Sequence, residues 1–318
     1  MRRDLVSAAG VSGCDDSADN SKRRNDMNKT VKRKSIFVPL VSALMGVAFS
    51  GAALAVDLTV GASVWYAWWQ FSSKETYDSV SNDDRDSGFM YGPILSVKFN
   101  DTWALSTRFM TGSFGFAETI GYDYENASDF VHRDRTYKFD SDTIMTYSIT
   151  RMFRIFGGVK WMGYNWYQKV YYVNIDGYPV FESTKSYEST VGPGLGVGFS
   201  VPLADSLFLM INVNGLYTVG TETMTTSTYY YDPAESSKSG PVVQVFDLVS
   251  WGGNGDIAVA YYLQSAKTTL SLGFRYQQLK VIGRDRKEYL NTNDPFMERD
   301  TQDVFYGVTF TALYYIDL

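Results

Sequence analysis

From Val56 to Leu318, apolar and polar residues alternate with a period of two in run after run. That alternation is the mark of a strand with two unlike faces. The first run carries Val60, Ala62, Val64, Tyr66 and Trp68 on one face and Thr59, Gly61, Ser63 and Ala67 on the other. In the next, Gly88–Phe99, outward Leu95, Val97 and Phe99 alternate with Ser96 and Lys98. A third sets Trp103, Leu105 and Phe109 against Ser106 and Arg108. Met145, Tyr147 and Ile149 mark the fourth, and Val159 and Trp161 the fifth. Val191, Leu195, Val197, Phe199 and Val201 mark the sixth, and Leu207, Leu209, Ile211 and Val213 the seventh. Ile257, Val259, Tyr261 and Leu263 define the eighth. In the ninth, Leu270, Leu272, Phe274 and Tyr276 alternate with Ser271, Gly273, Arg275 and Gln277. The tenth alternates outward Tyr306, Val308, Phe310, Ala312, Tyr314, Ile316 and Leu318 with Gly307, Thr309 and Thr311.

The connections alternate too. Long polar loops are expected at Ser72–Ser87, Ala117–Lys138, Val173–Ser186, Glu222–Val245 and Gly283–Asp303. Tight turns are expected at Asn100–Thr102, near Phe153, at Ala204–Ser206 and at Gln264–Lys267. A helical period of 3.6 is absent, and Gly and β-branched residues interrupt every candidate helix. The pattern predicts an all-β fold: a transmembrane, antiparallel, up-and-down β-barrel of about ten strands. Both chain ends fall on the short-turn side. A soluble barrel or sandwich would not need one set of connections to be systematically longer.

Ahead of the strands, Asn28–Ala55 has the form of a secretory signal. Lys29, Lys32, Arg33 and Lys34 precede the apolar stretch Ile36–Phe49, and Ala53-Leu54-Ala55 supplies a small-x-small cleavage pattern. The apolar stretch is shorter than the roughly 20 residues of a spanning helix. Met27 is expected to be the translation start, with residues 1–26 ahead of it, a signal peptide over 27–55 and the barrel over 56–318. Val11-Ser12-Gly13-Cys14 is similar to a lipoprotein acylation box but lacks the apolar run such a box follows. The signal, the hairpin rhythm and a closing strand of alternating apolar residues together resemble the bacterial outer-membrane β-barrel superfamily. The terminal residue is Leu318, where that superfamily commonly has Phe. The resemblance implies export to the bacterial outer membrane, contact with membrane lipid and lipopolysaccharide, and long loops on the cell surface.

Composition refines this picture. Mean hydropathy is −0.19, which excludes a helical membrane protein. A barrel is compatible with it, because lumen-facing and lipid-facing residues cancel. Aromatics are 16% of the chain, with 24 Tyr. Trp68, Trp69, Tyr171 and Tyr172 near the loops, and Phe99, Trp103, Phe199 and Tyr261 near the turns, suggest two interfacial girdles. Net charge is −6. The five loops hold 21 Asp/Glu against 11 Lys/Arg, so they carry the negative excess. No basic nucleic-acid patch is present. Cys14 is the only cysteine, so the barrel region has no disulfide or thiolate metal site. No cofactor is implied, and a monomer is expected.

Candidate chemistry is sparse. Enzymes of the resembled superfamily use a histidine-assisted base: omptin proteases pair it with aspartates, and the deacylases and phospholipases with a serine. The single histidine, His132, sits in Val131-His132-Arg133-Asp134 with no Asp-x-His or His-x-Ser beside it, and is expected to be a loop residue. Asp83, Asp84 and Asp86 lack the spacing of a calcium loop. Gly192, Gly194, Gly196 and Gly198 form an inward stripe, faced by bulky Met162, Tyr164 and Trp166, that makes room in a narrow interior. The expected lumen lining is Arg108, Asp142, Lys160, Tyr164, Trp166, Asp256, Tyr262, Arg275 and Gln277. Its charges of both signs fit either a pore wall or a salt-bridged plug. Counting from the Gln264–Lys267 turn puts Asp256 opposite Arg275, so a cross-strand ion pair networked with Tyr262 and Gln277 is expected. Two roles follow. One is a plugged barrel with a surface-binding or structural function, its Tyr/Ser/Thr-rich loops meeting an extracellular ligand. The other is a narrow channel for small solutes or ions.

Overall fold

The structure is a computed structural model that describes residues 57–73, 85–115, 119–123, 128–173, 179–230, 237–238, 241–285 and 298–316. The expected signal region, Cys14, Asp83, Asp84 and Leu318 lie outside them. Ten long strands form the wall: β1 (Asp57–Ser73), β2 (Arg85–Lys98), β3 (Trp103–Phe114), β5 (Ser128–Ser148), β6 (Phe153–Val173), β7 (Pro179–Ala204), β8 (Leu207–Tyr230), β10 (Val242–Leu263), β11 (Thr268–Asp285) and β12 (Glu298–Ile316). Two short strands, β4 (Thr119–Asp123) and β9 (Ser237–Lys238), pair only with β5 and β8. Each wall strand pairs antiparallel with its neighbour, and β1 pairs with β12. The sheet closes into an up-and-down barrel without a free edge.

The size of the ring follows from its register. Register partners run from Thr59 through Ser96, Ser106, Ile144, Gly158, Gly194, Leu216, Gly252, Leu279 and Asp303 to Phe71. One circuit therefore climbs from position 59 to position 71, a stagger of 12 residues. Ten strands at ~4.8 Å spacing with that stagger at ~3.3 Å per residue give a tilt near 40° and a backbone diameter of about 20 Å. Side chains from opposite walls of so narrow a ring meet at its centre.

Polar side chains shape the short turns. Asn100 Oδ1 accepts hydrogen bonds from the N–H groups of Thr102 and Trp103, both at 2.8 Å. Thr150 Oγ1 accepts from Met152 and Phe153 N–H at 3.2 and 3.0 Å. Beside the first turn, Lys98 Nζ donates to Asp101 Oδ1 at 2.9 Å, which holds the Asp101 carboxyl below its ordinary range. The last turn is a 3-10 turn, Gln264–Ala266, capped by Lys267 in the left-handed region (φ 46°).

The two faces differ as alternation requires. Leu195 (73% exposed), Leu272 (60%) and Val213 (55%) point outward. Their strand neighbours Thr190, Arg275 and Leu216 are buried inside. Aromatics border this apolar band in two tiers. Trp103, Tyr147, Phe153, Phe199, Tyr261 and Tyr314 lie near the short turns; Tyr66, Trp68, Phe89, Trp251 and Tyr306 lie above. Tyr261 and Trp251 are ten positions apart on β10, and Tyr314 and Tyr306 eight apart on β12. At a 40° tilt those intervals span roughly 20–25 Å, the height of a lipid-facing barrel band. A continuous apolar belt of this extent is stable in a bilayer and not in water.

The strands run well past the upper tier. β7 has 26 residues, against the roughly 9–11 a membrane crossing needs. The expected long loops are correspondingly shorter. β5 begins at Ser128, β7 at Pro179 and β12 at Glu298, and β8 continues to Tyr230. Lys138, Ser186, Glu222 and Asp303, expected in loops, are buried wall residues. His132, also expected in a loop, has its backbone in β5, paired with Thr119 and Val170. The physical reason is visible on β8. Above the membrane its outward positions are Thr221, Thr223 and Thr225, so the outer face turns polar and the alternation fades although the strand continues.

Candidate functional site: the barrel lumen

The lumen is crossed by two layers. The lower is ionic. Asp142 on β5 receives three cations: Lys160 Nζ from β6 at 3.0 Å, Arg108 Nη2 from β3 at 3.5 Å and Arg275 Nη2 from β11 at 3.7 Å. Lys160 is also paired with Asp140. β5 and β11 are half a ring apart, so the Arg275–Asp142 contact bridges opposite walls. Arg275 and Lys160 are each 1% exposed, and Arg108 retains access to the space below. The Arg275 guanidinium lies against Trp65, 4.9 Å from the ring centre.

The second layer, directly above, is aromatic. Trp69 stacks on Phe305 at 5.1 Å and meets Phe114 edge-on at 5.5 Å, and Tyr164 joins from β6 at 5.9 Å. Lys138 projects among them. Its Nζ donates to the Tyr164 hydroxyl at 2.6 Å and sits 4.2 Å from the centres of the Tyr164 and Phe305 rings. Two ring faces and a phenol oxygen partly replace the lost hydration of that ammonium. Met162, Leu216 and Leu279 fill the remaining sector, where Gln277 Nε2 reaches Met162 Sδ at 3.5 Å. Higher still, Phe246, Leu248 and Val281 cluster beside Ser186, which donates to Glu222.

Below the ionic layer lies a vestibule into which Ser96, Ser106, Thr309 and Thr311 point, half-buried, and where Phe156 and Arg154 lie over Gly196 and Gly198 of the glycine stripe. In this vestibule Arg154 donates to Ser200 Oγ at 3.2 Å and to Asn212 Oδ1 at 2.7 Å, and Asn212 Nδ2 donates to Asp256 Oδ2 at 2.7 Å.

The sequence-derived lining residues thus occupy different places. Arg108, Asp142, Lys160 and Arg275 meet in the ionic layer, Tyr164 in the aromatic layer and Gln277 between them. Trp166, half-buried, pairs in register with Thr136 and Ser186 above. Tyr262 stands near the short turns, edge-on to Tyr315 at 5.8 Å. Asp256 is opposite Arg275 in register, as counted, but the expected ion pair between them is replaced. Arg275 extends across the ring to Asp142, and Asp256 is held by Asn212. A guanidinium stem long enough to reach the axis gains a shared carboxylate and the Trp65 ring there.

Trp65, Trp69, Phe305 and Lys138 were absent from the expected lining. Trp69, expected in a girdle, is 6% exposed and faces inward. Its parity with Ser63 and Ala67 is the signal that identifies it. Asp86, from the acidic trio, lies in β2 opposite Trp69.

A closed antiparallel ring with an apolar belt between two aromatic tiers is the architecture of the bacterial outer-membrane β-barrel superfamily, and this chain has it. No protein-family model and no curated protein matches the sequence. Among solved structures, the outer membrane protease OmpT from Escherichia coli is similar at 7% identity and a TM-score of 0.40, over 82% of this chain and 96% of OmpT. The toluene transporter TodX from Pseudomonas putida aligns at 11% identity and a TM-score of 0.37, over 82% of this chain and 90% of TodX. The translocator domain of the autotransporter NalP from Neisseria meningitidis aligns at 8% identity and a TM-score of 0.33, over 92% and 97%. Likeness at this level carries no inference about residues or activity.

Proposed function

We propose that this protein is a monomeric outer-membrane barrel, exported through a cleaved signal peptide, whose lumen is plugged and whose role is carried by its outer surface. One observation carries the reading: residues of opposite walls meet in two successive layers, Arg275 with Asp142 and Trp69 with Tyr164. A layer of buried ion pairs is a poor source of stability, but it blocks the axis with groups that hold each other. The protruding wall, tens of ångströms of strand above the belt, then offers the contact area, rich in the Tyr, Ser and Thr that suit adaptable recognition. No catalytic set is proposed. Proteoliposome swelling tests the plug. Vesicles carrying the refolded barrel should swell no faster in a small sugar than empty vesicles do; sugar-dependent swelling would overturn it.

The alternative, a narrow channel, draws on the vestibule. Arg108 keeps 30% side-chain exposure at its ceiling, so the ionic layer is reachable from the short-turn side. In this reading the layer is a gate, and swelling appears once the layer is loosened.

A further inference from the structure

We propose that the outer face of β5, β6 and β7 above the membrane belt binds the phosphorylated sugar headgroup of neighbouring lipopolysaccharide. The proposal rests on the outer-membrane placement above. Its centre is one row in register across three strands, in which Arg135 on β5 pairs with Tyr167 on β6 and Tyr167 with Lys185 on β7. Lys169 stands two positions beyond Tyr167 on the same face. Three exposed cations therefore surround one tyrosine, with Arg135 and Lys185 two strand spacings, about 10 Å, apart. Among the described residues none of the three is within ion-pair distance of a carboxylate. Among the described residues Arg135 donates a hydrogen bond to the Tyr137 hydroxyl, at 3.4 Å.

Like charges gathered without acidic partners repel one another. In water at about 10 Å that repulsion is slight, so the cluster stands open for an anion to bridge. Aromatics frame the cluster on both sides. Tyr137, Tyr167 and Tyr187 meet edge to face along it, at 6.2 and 6.4 Å, and Tyr171, Phe181 and Tyr229 form a second row beyond Lys169, at 4.7 and 5.8 Å. Cations for phosphate and ring faces for sugar are the two contacts a phosphorylated saccharide needs.

Height selects the source. Trp161, in the upper part of the belt on β6, is six positions below Tyr167 and eight below Lys169. The patch therefore stands roughly 15–20 Å above it. That is the level of a glycolipid's sugars, above its acyl chains. The patch also faces sideways, towards neighbouring lipid.

The test uses the full barrel refolded in phosphatidylcholine vesicles containing lipopolysaccharide, followed by detergent extraction and assay of glycolipid retained per barrel. The triple variant Arg135→Gln, Lys169→Gln, Lys185→Gln should bind on the order of a hundredfold more weakly. Lys280→Gln, on the opposite wall, should leave retention unchanged. Wild-type retention should fall with added salt and be lost with dephosphorylated glycolipid. Heat-modifiable gel migration verifies that the triple variant is folded. Equal retention by folded wild type and triple variant would overturn the proposal, as would equal binding of dephosphorylated glycolipid. Cell fractionation separates the two readings. Outer-membrane fractionation with undiminished retention by the triple variant sinks only the patch. Fractionation elsewhere sinks the placement, while the vesicle result still decides the patch.

Discussion

Replacing Asp142 with Asn removes one negative charge and keeps the side-chain volume. In the structure that carboxylate faces Lys160 at 3.0 Å, Arg108 at 3.5 Å and Arg275 at 3.7 Å. Lys160 and Arg275 are 1% exposed, so water screens them little. Breaking a buried pair by removing one partner costs about 3–5 kcal/mol. Arg108 is 30% exposed, and its share is of the surface kind, within about 1 kcal/mol. Asp140 still neutralises Lys160, while Arg275 loses the one carboxylate within ion-pair distance of it among the described residues, with Asp140 and Asp256 acting on it from further away. The expected loss is therefore about 3–4 kcal/mol. Asp256→Asn is the internal comparison. Asp256 accepts one hydrogen bond from Asn212, and its removal should cost no more than about 2 kcal/mol. Equilibrium urea titration in lipid vesicles measures both, with Trp65 and Trp69 as lumen fluorophores. If Asp256→Asn proves the more damaging, the ionic layer has been assigned to the wrong carboxylate.

Three further outcomes are expected. Phe305→Ala removes a fully buried ring that contacts Trp69, Phe114, Tyr164 and Lys138, and should cost about 3–5 kcal/mol in the same titration; a loss below 1 kcal/mol would mean the aromatic layer is loosely packed. Leu272→Arg places a charge on the lipid face, where Leu272 is 60% exposed, and should lower folding stability in vesicles by about 2–4 kcal/mol; no loss would put β11 outside the bilayer. Cys14, the only natural cysteine, lies ahead of the expected signal peptide, so single cysteines report topology in a protein expressed from Met27. Thr225→Cys should react with an impermeant maleimide on intact cells and Asp205→Cys only after the outer membrane is breached; the opposite pattern would invert the barrel.

The strand faces were legible because the bilayer enforces them. Wherever the outer surface meets lipid, outward residues must be apolar, and Val60 to Trp68 or Leu270 to Tyr276 show it directly. Above the belt that constraint ends. Ser183, Lys185, Thr223 and Thr225 are as polar as their inward neighbours, so wall strands resembled loops. Counting from a turn placed Asp256 beside Arg275, because register is a property of adjacent strands. The Arg275–Asp142 bridge depends on which residues of opposite walls share a height. That is set by the stagger of 12 around the whole ring, and no single hairpin encodes it. Trp69 was misplaced for a related reason. An aromatic near a strand end suits a girdle or a lumen, and only its parity distinguishes them.

The central claim is that the two layers seal the axis, and single-barrel conductance in a planar bilayer tests it most directly. The wild-type barrel should insert without discrete current steps. The Asp142→Asn, Phe305→Ala double variant, opened in both layers, should give steps. Stable ohmic steps from the wild type, unchanged in the double variant, would contradict the account.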